Sequence, residues 1–492
     1  MRTKHLTFDY EPVTRSRFPH PAARTKEEVW PPGEKTPVGD SGEVIGDEAG
    51  LANKKAAKAF FKRGHVLTYA GLFLFTIVLY ARPSEFYPSP VTASIALIVG
   101  VITLGIFVIS QLSLEGTLTA PLVEVKLILL FALTGLLSVP LAMNPSLAWH
   151  EFSSTFIRCV VMFIVMVNAV RTEARLKGLL LLALAAAIWL SVGALNDYRL
   201  GLLTVEGYRA SGTGGGIFGN TNDMALHLVT MLPISIALLF ASRGIVRRLL
   251  YGACAAVMMA AIVLSYSRGA FIGLLVILIF IAMKLGRRNR LGIVLGILLI
   301  GTGFLLFAPG NYGSRLLSIL IPSLDPVGSA NSRRGELLRS LYVALRHPFL
   351  GIGMGNYGPE MSYHGLVTHN AYTQVAAEMG IAALVCYTMF IVSPLRKLGQ
   401  IVRETFDARD NSHFYYMSVG LQAALIGYMV SSFFLSVAYT WYVFFLVGYA
   451  IGLRRLYESQ TGQAVVVEER KKRKKSVRRA ASLVDRGRTV TT

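Results

Sequence analysis

The chain has little cysteine and little acid. Its three cysteines (Cys159, Cys254, Cys386) all fall inside apolar stretches of a 492-residue sequence, which argues against a disulfide framework and against a cysteine-based metal site. Asp and Glu number 28 against 49 Lys and Arg, and charged residues make up only 16% of the chain, too few to solvate a set of soluble domains of this length. Familiar signatures of soluble enzymes are missing as well. The glycine run 212–216 is not followed by Gly-Lys-Ser/Thr, so there is no Walker A loop. There is no Asp-x-Asp pair to hold a divalent metal on a sugar nucleotide, and no His-Glu-x-x-His. Gly353-Met-Gly355-Asn-Tyr-Gly358 fits G-x-G-x-x-G, but it has no strand–helix context and reads as turn chemistry.

What is present is apolar surface. A chain that is 53% hydrophobic with a mean hydropathy of +0.52 is a polytopic membrane protein. The expected fold is all-α, a transmembrane bundle of about twelve spans. They are drawn at 66–81, 91–112, 125–142, 154–170, 176–195, 223–241, 249–264, 270–284, 291–308, 371–392, 414–435 and 438–454. Residues 65–455 form this membrane domain. Residues 1–64 hold six prolines and no apolar run, so they read as a disordered cytoplasmic extension with no cleavable signal peptide. Residues 456–492 read as a basic cytoplasmic tail, with Lys471, Lys472, Arg473, Lys474 and Lys475 suited to anionic membrane lipids.

The net charge of +21 is distributed by topology, which accounts for it without nucleic acid. The connectors after spans four, six, eight and ten hold Arg171, Arg175, Lys177; Arg243, Arg247, Arg248; Lys284, Arg287, Arg288, Arg290; and Arg396, Lys397, Arg403, Arg409, fourteen cations in all. Connectors of that kind lie in the cytoplasm, and both termini then lie there too. The long segment 309–370 falls on the outer side and contains an amphipathic stretch, 333–346, stopped by Pro348. Leu337, Leu338, Leu341, Ala344 and Leu345 line one face of it, as suits a helix lying on the membrane or capping a cavity.

Against that pattern a few outward cations stand out: Arg209, Arg268, Arg333 and Arg334, with His369 nearby in sequence. Arginine beside lipid calls for an anionic ligand or an internal partner. Arg209 precedes a glycine run leading through Asn220, Asn222 and Asp223 into a helix start, where free amides attract phosphate; Asn222 or Asp223 as a simple N-cap is the plainer reading. Arg268, in Ser265-Tyr-Ser267-Arg268-Gly, is held close to the headgroup plane, suited either to snorkelling or to a bidentate grip on phosphate. Thr368-His369-Asn370-Ala-Tyr372 opens span ten with Asn370 as N-cap, and Glu378, two turns on, needs a partner, for which an arginine is expected. A neutral His369 imidazole can take a proton from a sugar hydroxyl, with His364 as local competitor.

Gly-Asn-x-Asn-Asp at 219–223, Ser-Arg-Gly at 267–269, Arg-His-Pro-Phe-Leu-Gly-Ile-Gly-Met-Gly at 346–355, and His-Asn-x-Tyr with a later Glu-x-Gly together resemble the O-antigen ligase / O-antigen polymerase superfamily over about 66–455. The resemblance implies a metal-independent glycosyltransferase of the bacterial inner membrane, without cofactor and with its site on the outer face. Its donor would be a glycan on undecaprenyl diphosphate, and its acceptor a lipid A core or a growing polysaccharide. In that reading His369 is the general base, and Arg209 and Arg268 stabilise the leaving diphosphate. Asn220, Asn222, Asp223, Ser267, Arg333, Arg334, Asn370, Tyr372 and Glu378 contact substrate. The competing class is a transporter of lipid-linked oligosaccharide, which would line a charged path through the bilayer.

Overall fold

The computed structural model describes residues 64–203, 209–210, 218, 220–285, 291, 295, 329–362, 365–408 and 412–462. These are all-helical. The long elements are α1 Val66–Ala81, α2 Pro90–Glu115, α3 Val123–Ser138, α4 Pro145–Ala169, α5 Glu173–Arg199, α6 Thr221–Ala241, α7 Ile245–Leu264 and α8 Arg268–Leu285. After them come α9 Ser329–Arg346, α10 Ala371–Met379, α11 Ile381–Glu404, α12 His413–Ser431 and α13 Trp441–Thr461.

Among the described residues nine helices are long and apolar enough to cross a membrane, against the twelve spans expected. The difference has physical reasons. α3 is only 16 residues long. α13 carries Arg454, Arg455 and Glu458 in its second half. Of span 291–308, only 291 and 295 lie within the described residues. The extensions 1–63 and 463–492 also lie outside them, while α13 continues past the expected boundary at 455 to Thr461.

Burial sorts the helices. The apolar stretches of α6 and α12 are 78% and 72% buried and form the centre of the bundle, whereas those of α2 and α7 are 11% and 17% buried and present apolar side chains outward, as suits acyl chains. Glycine lets the central pair close up: a Cβ on Gly420 of α12 would lie 2.5 Å from the Ala237 Cβ of α6. Buried aromatic rings of α3, α4, α11 and α13 interlock around Phe131, Phe156, Phe390 and Phe444.

Polar contacts mark the two ends. At one end Arg454 donates to Glu124 Oε1 at 2.8 Å, Arg171 pairs with Glu115, and the Tyr415 hydroxyl donates to the Lys284 carbonyl at 3.0 Å. At the other end α5, α7 and α12 finish and α6, α8 and α10 begin, and the turns of Arg209, Arg268 and His369 lie there.

One expectation for this second end is corrected. Span 371–392 is not continuous: Gly380, at φ +87°, separates α10 from α11, and the Ile381 amide donates to the Pro348 carbonyl at 2.7 Å. A Cβ there would sit 2.2 Å from the Phe349 carbonyl oxygen, so only glycine lets the 348–353 turn wedge into the break. The face of α9 expected to lie on the membrane or to cap a cavity divides, Ala344 being buried and the leucines outward. Leu338, Leu341 and Leu345 are 60%, 44% and 77% exposed, and α9 meets α10 through Val343 and Ala344, which pack with Ala376 and Ala377.

Candidate functional site

Asn220 caps α6, its side chain accepting the Asn222 amide at 2.9 Å, so the cap falls neither on Asn222 nor on Asp223. That leaves the Asn222 side chain to accept from Arg209 Nη2 at 2.8 Å, while Arg209 Nε donates to the Ser265 carbonyl at 2.9 Å. Arg209, 3% exposed, therefore ties the start of α6 to the turn between α7 and α8. Asp223 stands half-buried in the first turn of α6, at the positive end of that helix. The α7–α8 turn is itself constrained. Tyr266 takes φ +50°, an uncommon conformation for an aromatic residue, and the Ser267 amide donates to Ser265 Oγ at 3.2 Å. The strain sets Arg268 at the first position of α8, where it is buried beside Arg209's anchor.

The histidine half of the site is built on α10. Asn370 accepts the amides of Tyr372 and Thr373 at 2.9 and 3.0 Å, as its place before the helix suggests. His369, just before it, holds φ +52°, and among the described residues no hydrogen bond engages its ring. Burial first, then the Arg333 charge, push the imidazole down to about 4 against the opposing pull of Glu336, so His369 is neutral at physiological pH.

A connector joins the two halves. The Tyr372 hydroxyl donates to the Met429 carbonyl at 3.0 Å, and Thr368 shares a 2.8 Å hydrogen bond with Ser436. In the same segment the Ser431 hydroxyl donates to the Gly269 carbonyl at 3.2 Å, next to Arg268. The chain 429–436 thus touches both the arginine turn and the histidine turn, which brings motifs 100 residues apart to one end of the bundle. Two buried polar atoms there, Thr221 Oγ1 and Asn370 Nδ2, have no hydrogen-bond partner among the described residues. An orphaned buried polar group costs about 1–3 kcal/mol, a cost that a bound polar group would relieve.

Arg333 and Arg334 separate: Arg333 is half-buried and acts on His369, whereas Arg334 is exposed. Glu378 is buried against backbone rather than against an arginine; the Tyr357 amide donates to its Oε1 at 3.3 Å. It helps seat the glycine turn, in which Gly353 at φ +96° donates to the Glu378 carbonyl at 2.9 Å. That turn is packing, as read from its context. His364 lies outside the described residues.

Glu336 went unnoticed in the sequence. It is 5% exposed and accepts from the Tyr357 hydroxyl at 2.7 Å and Ser362 Oγ at 2.8 Å, facing His369 electrostatically from one turn beyond Arg333. Its one sequence signal was an acid on the otherwise cationic polar face of α9. Among the described residues no three His, Cys, Asp or Glu side chains cluster as metal ligands.

Residues 253–388 match the family model described as O-antigen ligase. This stretch contains Ser267, Arg268, Arg333, Arg334, His369, Asn370, Tyr372 and Glu378, whereas Arg209 and the 220–223 turn precede it. No curated protein matches the chain.

Proposed function

We propose, from the O-antigen ligase domain at residues 253–388, that this chain is a membrane glycosyltransferase that moves a glycan from undecaprenyl diphosphate to an acceptor hydroxyl. The acceptor is a lipid A core sugar or the end of a growing polysaccharide. The observation that carries the reading is the meeting, on one connector, of a buried arginine turn and a neutral histidine whose ring makes no hydrogen bond among the described residues.

Arg209 and Arg268 face the diphosphate at the N-termini of α6 and α8, where the guanidinium fork and helix amides both favour phosphate. The bond from the sugar anomeric carbon to the diphosphate oxygen breaks, and its electron pair leaves with the phosphate. The acceptor oxygen forms the new bond to that carbon, and its proton passes to His369. Stabilising the charge that develops on the leaving phosphate is usually the largest contribution, a few kcal/mol per donor. A low resting basicity does not disable His369. A diphosphate bound nearby raises the proton affinity of the imidazole, so donor binding and base strength rise together.

The fourteen cations gathered in alternate connectors support a cytoplasmic position for the opposite end of the bundle. The site then opens on the outer face of the inner membrane, and α9, with its exposed leucines, rests on that surface.

The test is purified protein in proteoliposomes with a diphosphate-linked repeat unit and an acceptor glycan, product length being read by mass spectrometry. A ladder of extended products indicates a polymerase, and a single addition a ligase. Donor that crosses the bilayer without transfer to any acceptor would overturn the enzyme reading in favour of a transporter.

A further inference from the structure

At the end of the bundle opposite the arginine and histidine turns, a cleft of about 770 Å³ lies among the start of α5, the end of α6, and the starts of α7 and α12. It is one length of α6 away from Asn220, about 30 Å at 1.5 Å per residue. The volume is that of a small-molecule site. Its rim is cationic: Lys177, Arg243, Arg247 and Arg248. Arg248 is oriented over the α6–α7 turn by donating from Nε to the Ser242 carbonyl at 2.8 Å. The acid on the rim is Glu173, whose carboxylate lies 3.4 Å from the His413 ring and is thereby partly spoken for. Behind the rim the walls turn apolar, through Leu180, Leu238, Leu250 and Met417. On the outer side α7 leaves Leu249 and Leu250 66% and 58% exposed, so the cleft is continuous with a face suited to acyl chains.

A cationic rim over apolar walls does not suit a nucleotide or a sugar, which would leave the walls unused, and a free anion would occupy the rim alone. The tail is a poor occupant, because residues 470–479 are themselves rich in Lys and Arg and would meet a rim of the same sign. We propose that this cleft is a specific site for one anionic phospholipid of the bilayer. Its phosphate is held by Arg243, Arg247 and Arg248, and an acyl chain lies between α7 and α12. The proposal does not depend on the glycosyltransferase reading.

The experiment is native mass spectrometry of the delipidated full-length protein titrated with phosphatidylglycerol, with phosphatidylcholine of identical chains, and with inorganic phosphate. Wild type is expected to take up one phosphatidylglycerol at least about 10-fold more tightly than phosphatidylcholine. R243Q/R247Q/R248Q should lose that preference. Leu181 lines the cleft beside Leu180, and L181W/L250W, which fills the cleft and keeps every arginine, should lose the bound lipid as well. Equal uptake of both lipids would overturn the proposal, as would displacement of phosphatidylglycerol by millimolar phosphate. Retention by the tryptophan variant would likewise overturn it, since the arginines would then act only as surface charge. Circular dichroism of both variants confirms that the helices persist.

Discussion

His369 combines three properties that a base on a sugar hydroxyl needs: a neutral ring, no competing hydrogen bond among the described residues, and a backbone pinned at φ +52°. His369→Ala is expected to lower glycan transfer by about 10²–10⁴-fold in a proteoliposome assay while donor binding persists. His364→Ala, five residues earlier in the chain, should leave transfer within a few-fold of wild type. The pH profile offers a second check. A histidine at its ordinary value near 6.5 would impose an acid limb there, but in the donor-free protein burial and Arg333 lower His369 to about 4, so kcat/KM, which reports the free enzyme, should stay level down to about pH 5. Arg333→Met removes one lowering cause and should move the acid limb upward; Glu336→Gln removes the opposing pull and should move it down. A limb that ignores both substitutions would show that His369 is not the titrating group. At the arginines, Arg209→Lys and Arg268→Lys keep charge but lose the fork, and each should reduce turnover at least about 10-fold.

Among the elements, the break between α10 and α11 does the most to shape the site, because it lets α10 stand as a short separate helix with Asn370 and His369 at its start. The break depends on Gly380, where φ is +87° and a Cβ would meet the Phe349 carbonyl oxygen at 2.2 Å. Gly380→Ala should therefore destabilise the protein by at least about 2 kcal/mol, from backbone strain plus collision. Gly365 provides the comparison, with φ +66° but nothing within 4 Å of a built Cβ. Gly365→Ala should cost about 1 kcal/mol, from strain alone. Thermal unfolding of the two variants in detergent, ranked against wild type, checks the order. Elsewhere α9 divides its two faces between tasks. Glu336, Ser340 and Ala344 dock on the protein, and Leu338, Leu341 and Leu345 remain outward, which is the arrangement of an interfacial helix.

For the whole molecule, the decisive question is which end faces the cytoplasm. In a cysteine-free background, Asn331→Cys on α9 is expected to react with an impermeant thiol reagent in spheroplasts. Asp407→Cys, beyond α11, should react only after the membrane is permeabilised. The reverse pattern would place the candidate site in the cytoplasm and remove the proposed donor from its reach. The split of polar contacts is consistent with two unlike faces. The end carrying Arg171, Arg175 and Arg454 is dense in guanidinium groups held by Glu115, Glu124 and backbone carbonyls, whereas at the other end Arg209 is held by the Asn222 side chain and the Ser265 carbonyl.

Several features could be read in the sequence because they depend on composition and local pattern. Apolar run length placed the helices Val66–Ala81, Glu173–Arg199 and Ile245–Leu264 within a few residues, since hydrogen-bonded helix is what an apolar run adopts in lipid. The Asn370 cap is a property of neighbours in the chain and was visible for the same reason. The motifs also led to the superfamily that the match at 253–388 supports. Long-range packing decided the rest. Nothing local says that Gly380 must break a helix, because the obstacle is a carbonyl oxygen 31 positions earlier in the chain. Nothing local hands Glu378 to the Tyr357 amide, and Glu336 gains its role only when Tyr357 and Ser362 fold against it. The same is true of the site as a whole. Arg209, Arg268 and His369 belong to separate motifs; Arg209 reaches the Arg268 turn through the Ser265 carbonyl, and the 429–436 segment joins that turn to the turn of His369.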